Sequence, residues 1–472
     1  MIAFIERRWR LVLLAASLLG VARMLVFALH DYDTHPPASF DALHIQYGGW
    51  LITQGRMMYA DLWNPKPPLS MLLPVLPAWI AGDHLLALHW FYLGLMGVFA
   101  AANVLLAGQL VFDQTANAQA ALFGGLALLA LTWTTELGAF GYRPKVLTLA
   151  FGMLAIALAN RDRPLWSGVS VALAAGFWQL GLFFGVVAAW QFVVRHRSLR
   201  GWALRYVAGG LIVALLAILP NLLDGSLDVM FEQVVTQHFS GSQWQRELIH
   251  SLNRMVERVR FYMVVLVWGL LSAAWMVVTR KFDRVWLLLG LVLFSVQVAF
   301  IDFDGTPDLL MLMALIAVCA GLLYADAGEW HAQRGRALFL FAGISVVIVA
   351  WLWRWAPAST GQWELAAALG LLSVLGLIMF GEAGRKGLIA VLAGLLVLNV
   401  LLLGEDGVFF TRPRSPLIAE YDQGPIETRD GLPSMAYMYW EQQLPPGCYM
   451  VFDVDERRYM EKHNHTVNDS CR

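Results

Sequence analysis

Residues 7–29 read RRWRLVLLAASLLGVARMLVFAL, in which arginines precede a long apolar run. A helix needs about 20 apolar residues to cross the roughly 30 Å hydrocarbon core of a bilayer. The run is long for the apolar region of a secretory signal peptide, and no small-residue cleavage pattern follows it. We therefore expect a retained first membrane span, preceded by the basic residues Arg7, Arg8 and Arg10.

The composition of the whole chain agrees with this first segment. Of the 472 residues, 59% are hydrophobic and 14% are charged, whereas soluble globular chains have about 45–50% apolar and about 25% charged residues. Only helices or closed barrels satisfy their backbone hydrogen bonds inside a bilayer, and the apolar blocks lack the alternation of barrel strands. The sequence therefore predicts an all-α polytopic membrane protein.

Apolar blocks recur along the chain and predict about thirteen transmembrane helices. The spans at 165–178 and 180–194 are short, and together they could instead form one re-entrant pair. The predicted spans are 11–29, 85–112, 119–136, 146–160, 165–178, 180–194, 203–220, 261–279, 285–301, 309–324, 337–353, 365–380 and 388–404.

Basic residues fall in alternate loops between these spans, which predicts the orientation. Lys and Arg are enriched in cytoplasmic loops, so a multi-pass protein of the cytoplasmic (inner) membrane with a cytoplasmic N-terminus is expected. Residues 31–84, 221–260 and the tail after about 405 would then be extracytoplasmic. The basic inner loops contain Arg161 and Arg163; Arg195, Arg197, Arg200 and Arg205; Arg280, Lys281 and Arg284; Arg334 and Arg336; and Arg385 and Lys386.

Two parts follow from this topology: a transmembrane domain over residues 1–404 and a small extracytoplasmic domain over 405–472. Cys448 and Cys471 both lie in the polar tail. They should form a disulfide if the tail faces an oxidising compartment. Cys319 lies within an apolar run and is interpreted as a packing residue.

The first external loop, residues 31–84, is predicted to contain two helices on the membrane surface. Ser39 can cap the first helix, and Gly55 ends it. The second helix follows Lys66-Pro67-Pro68 and continues to Ala81; it is short and interrupted by prolines, which suits an interfacial position better than a crossing. The helical apolar stripe of the first helix consists of Phe40, Leu43, Tyr47, Trp50 and Leu51.

This loop also has a recognisable motif. It reads Phe40-Asp41, then Gly55-Arg-Met-Met-Tyr59-Ala-Asp61, then Lys66-Pro67-Pro68-Leu69. The motif resembles the first external loop of GT-C glycosyltransferases, such as protein O-mannosyltransferases and the aminoarabinose transferases of lipid A. The resemblance in sequence covers residues 40–69, and the rest of the chain resembles these proteins only in its architecture.

The resemblance implies roles for individual residues. Asp41 matches the family's catalytic carboxylate, which would take the proton of an acceptor hydroxyl as it attacks the anomeric carbon. Lys66 matches the basic position before Pro-Pro and could balance the charge of a lipid-phosphate leaving group. Arg143 and Lys145, at the external end of the fourth span, are further phosphate-binding candidates. The remaining motif residues, assigned to the loop that holds the substrate, are Tyr59, Asp61, Pro67 and Pro68.

Simpler interpretations remain open for the same residues. Asp41 could complement the dipole of a helix N-terminus, and Lys66 could be a lysine that extends towards lipid headgroups. Many relatives have Asp-Glu where this chain has Asp41-Ala42, which puts a metal-binding carboxylate pair in doubt. Asp302 and Asp304 are weak candidate ligands for a divalent metal, the only cofactor that the sequence suggests.

The function implied by the resemblance is transfer of a sugar from a polyprenyl-phosphate-linked donor at the outer face of the membrane. The acceptor would be a lipid, a glycan or a protein, with membrane lipids as further partners and no nucleic acid. A transporter or lipid flippase is an alternative, although ion-coupled carriers place ionisable groups inside their spans and these spans have almost none. A non-catalytic membrane scaffold is another.

Overall fold

The computed structural model describes residues 2–30, 40–60, 64–81, 85–131, 133–139, 141–196, 198–236, 262–301, 306–355 and 362–401. These ranges consist of helices and turns, with no β-strand among them. The helices are α1 Ile2–His30, α2 Phe40–Thr53, α3 Pro68–Ala81, α4 Leu85–Thr115, α5 Ala118–Leu129, α6 Trp133–Ala139, α7 Pro144–Asn160, α8 Pro164–Phe177, α9 Leu182–Arg195, α10 Leu199–Asp224, α11 Leu227–Phe231, α12 Met263–Val278, α13 Val285–Val296, α14 Leu310–Ala325, α15 Ala327–Ala332, α16 Arg334–Trp355, α17 Gln362–Phe380 and α18 Glu382–Leu401.

The all-α prediction is confirmed, and every predicted span overlaps at least one helix. By length and composition, three helical segments in the described ranges could cross a membrane: Trp90–Thr115, Leu199–Asp224 and Phe282–Phe300. Other apolar helices are 10–17 residues long. The number of crossings stays a prediction. The tail, with Cys448 and Cys471, lies outside the described residues.

The predicted third span, 119–136, is divided in the structure. Helix α5 ends at Leu129, and α6 begins at Trp133. The hydroxyl of Tyr262 donates a hydrogen bond to the carbonyl of Ala130, just after α5. This bond provides a partner for a carbonyl at the end of α5, where carbonyls lack partners within the helix.

Helix α14 lies at the centre of the bundle, and all of its residues except the last are buried. It packs closely against α5, where a side chain at Gly321 would come within 3.0 Å of the Cα atom of Gly124. Its C-terminal neighbour α15 is fixed by Trp330, whose ring stacks on Trp275 with centroids 4.6 Å apart. A helix with no exposed face explains the uniformly apolar sequence of this segment.

Helices α8 and α9 form a hairpin that turns at Trp178 and at the 3-10 turn Gln179–Gly181. The guanidinium of Arg195, at the end of α9, donates to the carbonyl oxygens of Ala159 and Asn160 at 2.7 Å each. The chain therefore returns to the side on which α7 ended. Each helix has 14 residues and is about 21 Å long, less than the roughly 30 Å hydrocarbon core.

Helices α8 and α10 approach so closely that glycine is required between them. A Cβ atom on Gly168 would lie 1.9 Å from the carbonyl oxygen of Tyr206, and one on Gly209 would lie 2.1 Å from that of Leu165. Small residues at such crossings are typical of membrane helix pairs.

We expect Gly168→Ala to lower the thermal unfolding midpoint of the purified protein, because forcing the two backbones apart costs about 1–3 kcal/mol. The matched control is Gly201→Ala in α10, where an added Cβ atom has no neighbour within 4 Å. Equal midpoints for the two variants would contradict the close approach of α8 and α10.

Candidate functional site

The loop between α2 and α3 is held by a buried tyrosine. Helix α2 ends near Gly55, which has a φ of +86°. Tyr59 is 1% exposed, and its hydroxyl donates to the carbonyl of Lys66 at 2.6 Å. Burial raises the pKa of the Tyr59 phenol well above its ordinary value, so the phenol stays protonated and keeps this hydrogen bond. The bond closes the loop directly at Lys66.

A second side chain holds the same loop from a distant part of the sequence. Gln233 is buried in the π-helical turn Glu232–Thr236. Its amide oxygen accepts from the backbone N–H of Asn64 at 2.8 Å, and its amide nitrogen donates to the carbonyl of Tyr59 at 3.0 Å. Asn64 Oδ1 in turn accepts from the backbone N–H of Lys66 at 2.9 Å. These bonds fix the backbone on both sides of residues 61–63.

The two prolines after Lys66 set where α3 begins. Pro68 is the first residue of α3, a position where the missing N–H of proline costs nothing. The hydroxyl of Ser70 donates to the carbonyl of Pro67 at 2.6 Å. Pro67 and Pro68 are buried, whereas Lys66 is half-buried. The prolines therefore support the backbone, and the lysine is the member of this motif that can face a ligand.

A second cationic residue lies at the N-terminus of α7. Lys145 follows Pro144, the first residue of that helix. Its ammonium forms an ion pair with the carboxylate of Asp308, which is 2% exposed, and lies 4.6 Å from the centre of the Trp178 ring. The amide of Gln297 donates to the carbonyl of Asp308 at 3.4 Å. Aromatic rings attract cations, so Trp178 and Asp308 together hold the Lys145 charge.

The Lys66 loop and the Lys145 ion pair lie at the same end of the bundle. The amide of Gln179, next to Trp178, is 3.5 Å from the carbonyl of Pro65. A Cβ atom on Gly176 of α8 would lie 2.5 Å from the Leu69 side chain. The turn between α8 and α9 therefore connects the two groups.

The structure describes only some of the remaining predicted site residues. Asp41 is the second residue of α2; its side chain lies outside the described residues, as do Asp61, Asp302 and Asp304. Arg143 precedes α7 as its N-cap, and its backbone N–H donates to the sulfur of Met96 at 3.3 Å. The described part of the chain has no group of three His, Cys, Asp or Glu side chains that could hold a metal ion.

Sequence reasoning missed Asp308, Trp178 and Gln233. Asp308 follows Asp302 and Asp304 closely in the sequence, but only the first two form an Asp-x-Asp pattern. Its partner is 163 residues away, and no local spacing indicates that contact.

Part of the chain is similar to known mannosyltransferases. Residues 55–219 match the family model of DolP-mannose mannosyltransferases. The chain is 28% identical over 321 residues to the dolichol phosphate-mannose mannosyltransferase of Haloferax volcanii, an alignment that covers 67% of this chain and 68% of that protein. The family match contains Tyr59, Lys66, Lys145 and Trp178.

Solved structures show a similar fold. The chain resembles ArnT from Cupriavidus metallidurans bound to undecaprenyl phosphate, with a TM-score of 0.54, 15% identity, and coverage of 97% of this chain and 88% of that one. For ArnT in the apo state, the TM-score is 0.56, the identity is 16%, and the coverage is 98% and 89%. The likeness extends over nearly the whole chain.

Proposed function

We propose that this chain, a membrane glycosyltransferase with the GT-C fold, transfers a single sugar from a polyprenyl-phosphate donor at the extracytoplasmic face of the cytoplasmic membrane. The observation that carries the proposal is the loop at Lys66, closed by Tyr59 and Gln233 beside the Lys145–Asp308 pair. Mannose is the sugar to test first, because the matching family and relative are mannosyltransferases.

In the proposed reaction, an acceptor hydroxyl attacks the anomeric carbon of the donor while Asp41 takes its proton. The bond between the anomeric carbon and the phosphate oxygen breaks, and the polyprenyl phosphate leaves with its electron pair. A carboxylate is suited to take this proton: the pKa of a hydroxyl is far above neutral pH, so the hydroxyl needs a base to remove its proton as it attacks. Cations near the leaving oxygen stabilise the charge that develops there.

Lys66 is the first candidate to bind the donor phosphate. It is half-buried and matches the basic position before Pro-Pro in the resembling family. Lys145, whose ammonium forms an ion pair with Asp308, is a further candidate. Arg143 adjoins Lys145 at the start of α7 and is the second candidate.

The topology proposed for this reaction is the one that the loop charges predict. The N-terminus is cytoplasmic, residues 1–404 form the membrane domain, and residues 405–472 form an extracytoplasmic domain. The acceptor, a lipid, glycan or protein, then approaches the Lys66 loop from outside.

Mass spectrometry of lipids and surface glycans tests the function. In a deletion strain, we expect one glycan to lose a single sugar and a polyprenyl-phosphate sugar to accumulate. A changed glycan in the deletion strain but not in an Asp41→Asn strain would favour a flippase or scaffold, because the pathway would need the protein without this chemistry.

Lys66→Ala should weaken binding of polyprenyl-phosphate mannose by about tenfold or more, because a charge-assisted hydrogen bond contributes roughly 1.5–3 kcal/mol. The measurement is titration of labelled donor into the purified protein. Lys386→Ala is the matched control, since Lys386 is exposed in α18 on the predicted cytoplasmic side. Equal donor affinities for the two variants would show that Lys66 does not bind the donor phosphate.

A further inference from the structure

A cavity of about 410 Å³ lies at the opposite end of the bundle from the candidate site. Helix α14 begins beside Asp308 and ends at Ala325, so the residues that follow it are at the far end. The cavity is bounded by the last turn of α12, by α15 and by the start of α16. Its lining residues are Val278, Thr279, Arg280, Glu329, Gln333 and Arg336.

A network of ion pairs lies behind the cavity. Lys281 Nζ donates to Asp326 at 2.8 Å and to Glu329 at 2.6 Å. Arg284 donates to Asp326 at 2.6 Å, and its side chain is 9% exposed. The two cations therefore balance the two carboxylates. Asp283, which is 3.8 Å from Arg284 and 68% exposed, does not line the cavity.

The two arginines of the cavity carry its excess positive charge. Arg280 and Arg336 are exposed, and neither forms an ion pair with a carboxylate in the described part of the chain. Arg336 donates to the amide oxygen of Gln333 at 3.4 Å. Arg280 has a φ of +55° at the end of α12, and its backbone N–H donates to Val277. The cavity thus has two guanidinium groups available to an anion.

Apolar side chains adjoin these cations. Val278 lines the cavity, and Val277 and Phe282 are 60% and 70% exposed. At the end of a membrane helix, such side chains contact acyl chains, while arginines reach the headgroup level. This arrangement fits a phosphate that carries acyl chains better than a free phosphate ion.

We propose that this cavity binds the headgroup phosphate of an anionic phospholipid between Arg280 and Arg336, with the acyl chains along Val277, Val278 and Phe282. The bound lipid connects the C-terminus of α12 to the start of α16. This lipid site is separate from the proposed polyprenyl-phosphate site, which lies at the other end of α14.

Native mass spectrometry of the full chain in mild detergent tests this proposal. Wild-type protein should retain phosphatidylglycerol in preference to phosphatidylcholine. In Arg280→Gln/Arg336→Gln, its affinity should fall by about thirtyfold, the effect of two basic side chains at a membrane surface. The control Arg334→Gln/Lys386→Gln has the same change in charge outside the cavity, and its affinity should stay at the wild-type value.

Equal binding of the two lipids, an unchanged affinity in the cavity variant, or an equal loss in the control would each overturn the proposal. A competition between phosphatidylglycerol and inorganic phosphate can be measured on the wild-type protein, so this test does not depend on whether a variant folds. Excess inorganic phosphate should not displace phosphatidylglycerol, and full displacement would identify a free-phosphate site instead.

Discussion

Asp41→Asn should abolish sugar transfer and leave expression and membrane insertion intact. Loss of a general base typically lowers the rate by about 10²–10⁴-fold, because the acceptor hydroxyl then keeps its proton as it attacks. Asn has nearly the shape of Asp, so the substitution removes the charge with little change in packing. The measurement is the mass spectrum of the affected glycan in a strain that expresses the variant.

The control for this variant is Asp283→Asn, which removes an exposed carboxylate at the far end of the bundle and should leave transfer unchanged. If Asp41 only complements the dipole of α2, its loss would reduce stability by about 0.3–1 kcal/mol without stopping transfer. Near wild-type transfer in Asp41→Asn would therefore exclude the proposed catalytic role.

Lys145→Met should strongly destabilise the protein, because it removes the ammonium that forms an ion pair with the buried carboxylate of Asp308, which is 2% exposed. Breaking one side of a buried ion pair costs about 3–5 kcal/mol; since the Lys145 side chain is 21% exposed, we expect the lower part of that range. Thermal unfolding in detergent measures the loss. Lys386→Met, which removes an exposed lysine, is the control.

A second substitution separates stability from function at this pair. In Lys145→Met/Asp308→Asn both members of the ion pair are neutral, so no buried charge remains at position 308 and most of the lost thermal stability should return. Donor affinity should return with it if Lys145 is structural, and should stay low if Lys145 binds the phosphate. A double variant as unstable as Lys145→Met would show that the ion pair does not account for the loss.

The positions of the helices could be predicted because, in a membrane protein, a long apolar run indicates a helix. The division between α5 and α6 was not predicted, although the continuous apolar run ends at Leu131 and residues 132–136 read TWTTE. What marks the end of α5 is the hydrogen bond from Tyr262 to Ala130, a partner 132 residues away. A hydropathy pattern contains no information about such a partner.

For the candidate site, too, the sequence predicted the local motif but not the distant residues that contact it. The motif around Lys66 is contiguous, so a family resemblance was enough to find it. Gln233 holds that loop from 174 residues away, and Asp308 binds Lys145 from 163 residues away. These contacts depend on how the helices pack, so the spacing of residues in the sequence does not predict them.

The short hairpin of α8 and α9 has a consequence for the surrounding lipid. Its two 14-residue helices are too short for the hydrocarbon core, and such hydrophobic mismatch is relieved by local thinning of the bilayer. The hairpin turns at Trp178, beside Lys145, so the thinned region would adjoin the candidate site. The membrane itself would then bring a lipid-linked phosphate closer to its binding residues.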